Sequence, residues 1–258
     1  MNHTFDAEDV EQLDILFLDK HYVVIDKPSG LLVHRSPIDR HETRFALQIL
    51  RDQLGQYIYP IHRLDKPTSG AMIFALSREA ANAMAEQIHS DTVQKTYWAV
   101  VRGFTPEEGS IEHALSYQAD DYADKDKRIL PPAQSALTHF RRLATVEIPV
   151  FVDRYPQTRY SWVELTPVTG RRHQLRRHMK HIGHPIIGDA RHGKGVHNRY
   201  FQDAYNAHRL MLMSRQLRWQ HPFSGDMICC EASMDEAFRN VFTAFEWALP
   251  TLGDSPHQ

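Results

Sequence analysis

The sequence predicts a single α+β domain built around a mixed β-sheet, and three observations support this fold class. Segments with strand and helix patterns alternate irregularly along the chain, without the regular period of a doubly wound fold. No internal repeat and no convincing linker divides the 258 residues. Hydrophobic residues make up 42% of the chain, which is enough to form a substantial core without disulfides or metals.

The composition argues against a membrane or secreted protein. No run approaches about twenty consecutive apolar residues, and residues 1–11 are acidic and polar, unlike a secretory signal. The two cysteines, Cys229 and Cys230, are adjacent. A strand would place them on opposite faces, as ordinary residues of a reducing compartment. We therefore expect a cytoplasmic protein.

The first third of the chain predicts strands and two helices. Residues 15–34 contain two apolar runs separated by turn residues at 27–30, which indicates a strand, a turn and a strand. Residues 43–54 place apolar side chains on a helical stripe. A second helix is expected over residues 78–89, where the interior is rich in alanine and Ser77 is suited to cap the start.

The middle of the chain predicts mainly strands. A polar loop at residues 62–70 leads into an apolar strand, and residues 95–102 are aromatic and β-branched, as is typical of strands. Residues 105–135 are rich in Pro, Asp, Glu and Lys without periodicity, which indicates a long surface excursion. Strand patterns return at residues 136–143 and 160–168.

A basic helix of about three turns is predicted over residues 171–183. Its apolar stripe is narrow and consists of Leu175, Met179 and Ile182. One face of this helix can therefore pack against the domain, while the rest meets solvent or a ligand.

The formal net charge of -2 conceals two opposed regions. Residues 171–221 contain eleven basic and two acidic residues, a surplus of +9, which leaves -11 for the rest of the chain. Such a surplus is typical of a surface that binds a polyanion, although a solvated basic face without a ligand has the same count. The basic residues are Arg171, Arg172, Arg176, Arg177, Lys180, Arg191, Lys194, Arg199, Arg209, Arg215 and Arg218.

Two motif-like patterns in this region do not predict a site. Residues 188–194 have the glycines and the lysine of a phosphate loop, but Gly195 stands where Ser or Thr would hold magnesium, and no convincing helix begins there. His178, His181 and His184 are spaced at intervals of three, which does not converge three rings on a metal. Basic-region histidines near phosphate are the better interpretation.

One loop contains a candidate catalytic carboxylate. Asp65 lies between Arg63 and Lys66 in the loop 62–70, which proline and glycine constrain, immediately before the apolar strand. The loop is either a structural turn in which Asp65 accepts backbone hydrogen bonds, or a site where a carboxylate acts as nucleophile or charge stabiliser. The second interpretation needs a partner for the carboxylate, and the neighbouring sequence does not supply one.

Four segments, in the same order along the chain, resemble the RluA-type pseudouridine synthase family. They are DKPSGLLVH at 26–34, HRLDKPTSG at 62–70, which is similar to the catalytic loop, KTY at 95–97, and TGRRHQLRRHMKHIGHPIIGD at 169–189. The resemblance implies one pseudouridine-synthase-type catalytic domain over residues 1–258, with its core at about 15–233. It also implies a mixed, mostly antiparallel sheet flanked by helices and loops, and no separate S4-like RNA-binding domain.

Site residues follow from the resemblance one by one. Asp65 matches the catalytic aspartate, Arg176 the basic residue that pairs with it, and Tyr97 the aromatic residue that stacks on the target uracil and helps to remove its carbon-5 proton. Leu212 matches the leucine beside the flipped nucleotide, although Met-Ser follows it where His-Ala is common. The other substrate-binding candidates are Arg63, Arg171, Arg172, His173, Gln174, Arg177 and Lys180.

The segments LATVEIPV at 143–150 and RYPQTRY at 154–160 resemble the branch of the family that modifies tRNA. This implies an isomerase that flips uridine 65, in the T-stem and acceptor region, and converts it to pseudouridine. The partner is then tRNA, with no membrane, no cofactor and no metal, and the protein is expected to be a monomer. Ribosomal RNA is the alternative substrate, and a non-catalytic RNA-binding module is the alternative function. A carboxylate-based glycosidase is a further alternative, but such an enzyme would usually need a second carboxylate, and none stands out in a comparable loop.

Overall fold

The structure, a computed structural model, describes residues 12–34, 43–89, 92–117 and 132–249. These ranges contain ten strands and five helices. The strands are β1 (Asp14–Leu18), β2 (Tyr22–Lys27), β3 (Tyr59–Pro60), β4 (Ser69–Ala75), β5 (Gln94–Arg102), β6 (Glu108–Glu112), β7 (Leu137–Ile148), β8 (Thr158–Pro167), β9 (Leu212–Gln220) and β10 (Met227–Glu231). The helices are α1 (Ala46–Leu54), α2 (Arg78–His89), α3 (Gln174–His181), α4 (Gly195–Tyr205) and α5 (Glu236–Ala244). No helix within the described ranges is long and apolar enough to cross a membrane.

The ten strands form one sheet, whose main path runs β1-β2-β4-β9-β5-β8-β7-β6. β3 pairs with β4, and β10 pairs with β9, beside this path. All of these pairs are antiparallel except β4 with β9. On β10, Cys229 is exposed and Cys230 is buried, as predicted for opposite faces of a strand. The prediction of an α+β fold around a mixed, mostly antiparallel sheet is confirmed.

Helices cover the sheet on both faces, because successive side chains of a strand point to opposite sides. Trp98 of β5 joins a core that includes residues of α2, α4 and α5. Tyr97, its neighbour, joins a second core with residues of α1 and α3. Leu64 also belongs to this second core, so the adjacent Asp65 lies on the side of the sheet that α1 and α3 cover.

The local sequence explains where three helices begin or end. α1 ends at Gly55, whose φ of 65° is the left-handed conformation that glycine adopts most easily. Before α2, the Oγ of Ser77 accepts a hydrogen bond from the Ala80 N–H at 3.1 Å, which confirms the predicted N-cap. Asp235 caps α5 in the same way, with the Phe238 N–H at 3.1 Å.

Two predicted strand and loop segments need correction. Residues 31–34 do not form a strand, because the carbonyl groups of Leu32 and Val33 accept hydrogen bonds from the start of α1 instead of from a neighbouring strand. Within the predicted excursion at 105–135, β6 forms because it pairs with β7, which its own sequence pattern does not reveal. The rest of that prediction, at residues 118–131, lies outside the described residues.

Two helix predictions in the basic region were also inaccurate. α3 has two turns rather than three, since His173 has a φ of 55° and the helix begins only after it. Residues after Gly195 were not expected to begin a helix, but they form α4. Its buried side chains, His197 and Phe201, are one turn apart and pack under the sheet, where tertiary contacts stabilise the helix.

Candidate active site

The loop that carries Asp65 is bound to the turn after β2. The Gly30 N–H donates to the carbonyl of Lys66 at 2.9 Å, and the Ser29 hydroxyl donates to the carbonyl of Pro67 at 2.8 Å. Within the loop, the Thr68 N–H donates to the carbonyl of Asp65 at 3.0 Å. These bonds fix the backbone and leave the Asp65 side chain 27% exposed at the surface.

A close contact between β4 and β9 places this loop beside Tyr97. Gly70 has a φ of +107°, and a Cβ built on it would lie 2.2 Å from the carbonyl oxygen of Ser214. Only glycine therefore permits the parallel contact of the two strands. Ser214 is also the register partner of Tyr97 across β9 and β5. The same short stretch of β9 thus brings together the loop of Asp65 and the ring of Tyr97.

Arg176 supplies the partner that Asp65 lacks in its own segment. The guanidinium Nη1 of Arg176 donates to Asp65 Oδ2 at 2.9 Å, across 111 positions of sequence. The Arg176 side chain is only 7% exposed, and its other nitrogens Nε and Nη2 bind the two carboxylate oxygens of Asp189, each at 2.8 Å. Burial alone would lower the pKa of Arg176, but the two carboxylates outweigh it and raise the pKa.

Asp189 was not predicted as a site residue, although it fixes the orientation of Arg176. Its Oδ1 also accepts the backbone N–H groups of Arg191 at 3.0 Å and His192 at 2.9 Å. Burial raises the pKa of Asp189, but Arg176 and these amides more than offset that effect and lower it. The available signal was that Asp189 is one of only two acids in a segment with eleven basic residues, because such an acid is well placed to pair with one of them.

His173 lies between the Asp65 pair and a second histidine. Its Nδ1 is 3.1 Å from Nε2 of His192, and its own Nε2 is 3.8 Å from Asp65 Oδ2. Burial, which outweighs the nearby Asp65, lowers the pKa of His173 to about 4. At neutral pH His173 is therefore an uncharged imidazole that can donate or accept one hydrogen bond beside the carboxylate.

Tyr97 and Leu212 are both buried in the second core. Burial, with a smaller contribution from Asp65, raises the pKa of Tyr97 to about 12. The side chain is therefore a neutral phenol at pH 7, which suits a stacking surface better than a resting base. Leu212, at the start of β9, is the register partner of Ala99, two residues along β5 from Tyr97.

Lys27 is a second residue that the sequence analysis did not assign to the site. It is completely buried, and its Nζ donates to the carbonyls of Pro28, Leu31 and Lys66 at 2.9, 2.8 and 3.2 Å. The last of these carbonyls belongs to the loop of Asp65. Burial, followed by repulsion from Arg209, lowers the pKa of Lys27 to about 7, although Asp65 and Asp26 oppose the shift.

This burial predicts a pH dependence of stability that Lys27→Met removes. The folded protein releases the Lys27 proton near pH 7, whereas an unfolded lysine keeps it to about 10.5. Between these values the unfolded chain binds more protons, so Lys27 makes the free energy of unfolding rise with pH. Urea denaturation of wild type and Lys27→Met from pH 6.5 to 9 should show this slope only in the wild type. The exposed Lys20→Met should keep the wild-type slope, and identical slopes in all three proteins would contradict the prediction.

Gln174 and Arg171 lie at the start of α3 and bond to the protein itself. The Gln174 amide Nε2 donates to the Leu137 carbonyl and to Thr138 Oγ1, at 2.9 and 3.0 Å. Its Oε1 accepts the Arg171 N–H at 2.9 Å. Gln174 thereby anchors α3 to β7, and the substrate contacts expected for these two residues stay predictions.

Part of the basic surplus surrounds the site. We use the term basic rim for Arg177 together with three side chains that are close enough to His173, His192 or Arg177 to lower their pKa values. The basic rim consists of Arg172, Arg177, Lys180 and Arg191. Arg63, which is exposed on the loop of Asp65, contributes to lowering the pKa of His34.

Three other basic residues of the surplus form ion pairs within the protein. Lys194 is paired with Asp153, Arg209 with Asp235, and Arg215 with Glu231. These acids come from other segments of the chain and neutralise basic residues that the count by segment treated as available for a ligand.

The histidines of α3 do not form a metal site. The described residues contain no group of three His, Cys, Asp or Glu side chains that could hold a metal ion. His178 is buried, with its ring nitrogens 2.9 Å from Thr138 Oγ1 and 3.1 Å from the His113 carbonyl. The interpretation of His178 as a residue near phosphate is therefore wrong, because both of its ring nitrogens bond within the protein.

The fold is that of a pseudouridylate synthase domain. The solved structure of human RNA pseudouridylate synthase domain containing 4 has a TM-score of 0.69 and 24% identity, over 92% of this chain and 94% of that one. The human domain containing 1 protein has a TM-score of 0.65 and 22% identity, over 92% and 96%.

The sequence places the chain within the corresponding family. The family model for RNA pseudouridylate synthase matches residues 21–181, a range that includes Asp65, Tyr97 and Arg176. The chain belongs to this family. It is 46% identical to tRNA pseudouridine synthase C of Vibrio parahaemolyticus, over 92% of this chain and 96% of that one. It is 47% identical to tRNA pseudouridine synthase C of Pasteurella multocida, over 93% and 99%.

Proposed function

We propose that this protein converts uridine to pseudouridine in tRNA, at position 65, with Asp65 as the catalytic residue. The observation that carries the proposal is the contact of Asp65 with Arg176, which Asp189 holds in a buried, bidentate pair. The names of relatives at 46 and 47% identity support tRNA as the substrate. Position 65 is supported by the resemblance of residues 143–150 and 154–160 to the tRNA-modifying branch.

The reaction needs a carboxylate and no cofactor. The bond between N1 of uracil and C1′ of ribose breaks, the base turns, and a bond forms between C5 and C1′. The proton on C5 leaves and N1 gains one, so that no atoms or electrons are exchanged overall. A carboxylate can attack C1′, attack the ring, or assist elimination at the sugar. All three routes need the Asp65 oxygen beside the target nucleotide.

Arg176, Tyr97 and His173 have distinct parts in this proposal. Arg176 occupies one oxygen of Asp65 with a charge-assisted hydrogen bond and so aims the other at the nucleotide. Tyr97 stacks on the uracil with its phenol protonated, and Leu212 packs beside it. Because the Tyr97 phenol keeps its own proton, removal of the C5 proton by Tyr97 would require another group to take that proton first. Neutral His173, whose Nε2 lies 3.8 Å from Asp65 Oδ2, is an imidazole beside this site.

The target base in a stem is stacked and paired, so the enzyme must flip it, which requires an unstacking free energy of a few kcal/mol. Contacts of the basic rim with phosphates would supply affinity to offset this. We also propose that the protein acts as a monomer in the cytoplasm.

The function can be tested with purified protein and unmodified tRNA. A transcript with uridine at position 65 should yield about one pseudouridine per molecule after nuclease digestion and chromatography. The same transcript with a cytidine at position 65, and its pairing partner changed to guanosine, should yield none. Product in a ribosomal RNA fragment and not in tRNA would refute the substrate assignment.

The basic rim predicts a graded loss of affinity with salt. Arg172→Ala and Lys180→Ala should each weaken binding to any tRNA and lower the slope of log affinity against log salt by about 1. The exposed Arg78→Ala, on α2, serves as the matched control and should leave the slope unchanged. Filter binding between 50 and 200 mM salt measures these slopes, and equal slopes for all four proteins would show that the rim does not contact phosphates.

A further inference from the structure

A second cleft lies at the other end of β5 from the candidate active site. Its volume is about 280 Å³, and it is lined by the ends of β5 and β8, the loop between β7 and β8, and His197 of α4. Arg102 is five residues beyond Tyr97, a distance of about 17 Å at the rise of a strand, and its side chain points to the other face. The cleft is therefore separate from the site that contains Asp65.

The cleft has a basic lining. Arg102, Arg154 and Arg159 line it. The acidic member, Asp153, is paired with Lys194 and lies 3.9 Å from Arg102, so these two cations neutralise it. A ligand in this cleft therefore meets an excess of positive charge, which favours a phosphate group.

Exposed aromatic rings accompany these arginines. Tyr155, which lines the cleft, is 67% exposed, and Phe151, four residues earlier in the same loop, is 68% exposed. Arg159 lies over the ring of Phe104 at 5.1 Å and pairs with Glu147. Exposed rings beside guanidinium groups are the combination by which proteins bind unpaired nucleotides, since the ring stacks on the base and the cation meets the phosphate.

His197 adds a buried polar group to the cleft. It is 3% exposed, and its Nδ1 lies 3.0 Å from the hydroxyl of Tyr160. Its Nε2 is buried and has no hydrogen-bond partner among the described residues. Burial, followed by repulsion from Arg102, lowers the pKa of His197 to about 4. A neutral imidazole suits a hydrogen bond to a base edge or a ribose hydroxyl rather than an ion pair.

The end of α3 connects the cleft to the basic rim. The carbonyl of Arg102 is bonded to Nδ1 of His184 at 2.9 Å, and the Arg102 N–H donates to the carbonyl of Pro185 at 3.1 Å. Lys180 and His181, in the last turn of α3, are exposed. An RNA chain that contacts the rim can therefore continue along α3 towards the cleft.

We propose that this cleft binds an unstacked nucleotide of the RNA substrate, about 17 Å from the base held at Asp65. Tyr155 stacks on the base, Arg154 and Arg102 hold the phosphate, and His197 bonds the base or the ribose. Residues 154–160 include a large part of the lining, and they are also a segment that resembles the tRNA-modifying branch. The cleft would thus help to select tRNA, and this inference rests on the proposed function.

The double variant Tyr155→Ala/Arg154→Ala tests the cleft, because both side chains are exposed and the fold does not depend on them. The matched control is Tyr57→Ala/Arg78→Ala, since Tyr57 is 68% exposed and lies outside the cleft. The cleft variant should bind full tRNA about tenfold more weakly than wild type, a loss typical of one stacked base. It should raise KM for tRNA by a similar factor and keep kcat at saturating tRNA within about twofold. The control should match wild type in each measurement.

A hairpin with the target uridine and three base pairs on either side separates this contact from the active site. The hairpin is too short to reach the cleft, so wild type and cleft variant should bind it equally. Equal affinity of both proteins for full tRNA would overturn the inference. The inference would also be overturned if the cleft variant lost binding of uridine monophosphate or adenosine monophosphate but kept its affinity for tRNA. If wild type forms no pseudouridine in tRNA but the cleft variant still binds it more weakly, the proposed function fails and the cleft stands.

Discussion

Asp65→Asn is expected to lower kcat for pseudouridine formation by about 10⁴-fold or more, which is the scale of losing a group that acts directly in the reaction. Asparagine keeps the shape of the side chain and removes the charged oxygen on which all three chemical routes depend. Affinity for tRNA should change by less than about threefold, because we propose that the basic rim makes most of the phosphate contacts. A single-turnover assay with excess enzyme, together with filter binding, measures both quantities.

The control for this variant is Asp52→Asn, which changes an exposed carboxylate that pairs with its neighbour Arg51. It should have wild-type activity and affinity. If Asp65→Asn forms pseudouridine at the wild-type rate, the candidate active site is wrong. If it binds tRNA as poorly as an unfolded protein, with altered circular dichroism, the Asp65→Glu variant separates a folding defect from a chemical one, since it keeps the carboxylate.

Asp189→Asn is expected to produce the second largest effect, although Asp189 does not face the nucleotide. Its carboxylate binds two nitrogens of buried Arg176, and removal of one member of a buried ion pair typically costs about 3–5 kcal/mol of stability. The free Arg176 guanidinium should then move relative to Asp65, and displacements of about 1 Å in an active site lower rates by about 10²-fold. We expect kcat to fall by that factor while KM for tRNA stays within about threefold.

A purely structural role for Asp189 would give a different pattern. The measurement is therefore made below the melting temperature, on protein that circular dichroism shows to be folded. Asp203→Asn is the matched control, because Asp203 is the other acid of the basic segment and is exposed on α4. A folded Asp189→Asn protein with wild-type kcat would show that Arg176 keeps its position without Asp189. The removal of Asp189 would then affect stability alone.

Local sequence patterns predicted the elements whose own residues determine them. α1 and α2 were expected at nearly their observed bounds, because an apolar stripe, and for α2 a serine cap, are encoded within a few residues. β6 and α4 were missed for the opposite reason. β6 depends on pairing with β7, and α4 depends on packing around Phe201, neither of which a local pattern reveals.

The sequence predicted site residues only where they belong to a motif of the family. The contact of Arg176 with Asp65 joins residues 111 positions apart, and it was expected from the family resemblance rather than from spacing. Asp189 and Lys27 were overlooked because their roles come from burial. Asp189 binds the buried guanidinium of Arg176, and Lys27 donates hydrogen bonds to three carbonyls of adjoining turns. The charge count likewise overestimated the RNA-binding surface, since acids from distant segments pair with Lys194, Arg209 and Arg215.

The most direct test of the central claim is a map of pseudouridine in cellular RNA by carbodiimide modification. The comparison requires a strain that lacks this protein, the same strain with the wild-type protein restored, and the strain with Asp65→Asn. We predict that the signal at position 65 of tRNA disappears in the deletion strain, returns with wild type and does not return with Asp65→Asn. Identical maps in all three strains, or restoration by Asp65→Asn, would contradict an Asp65-dependent tRNA pseudouridine synthase.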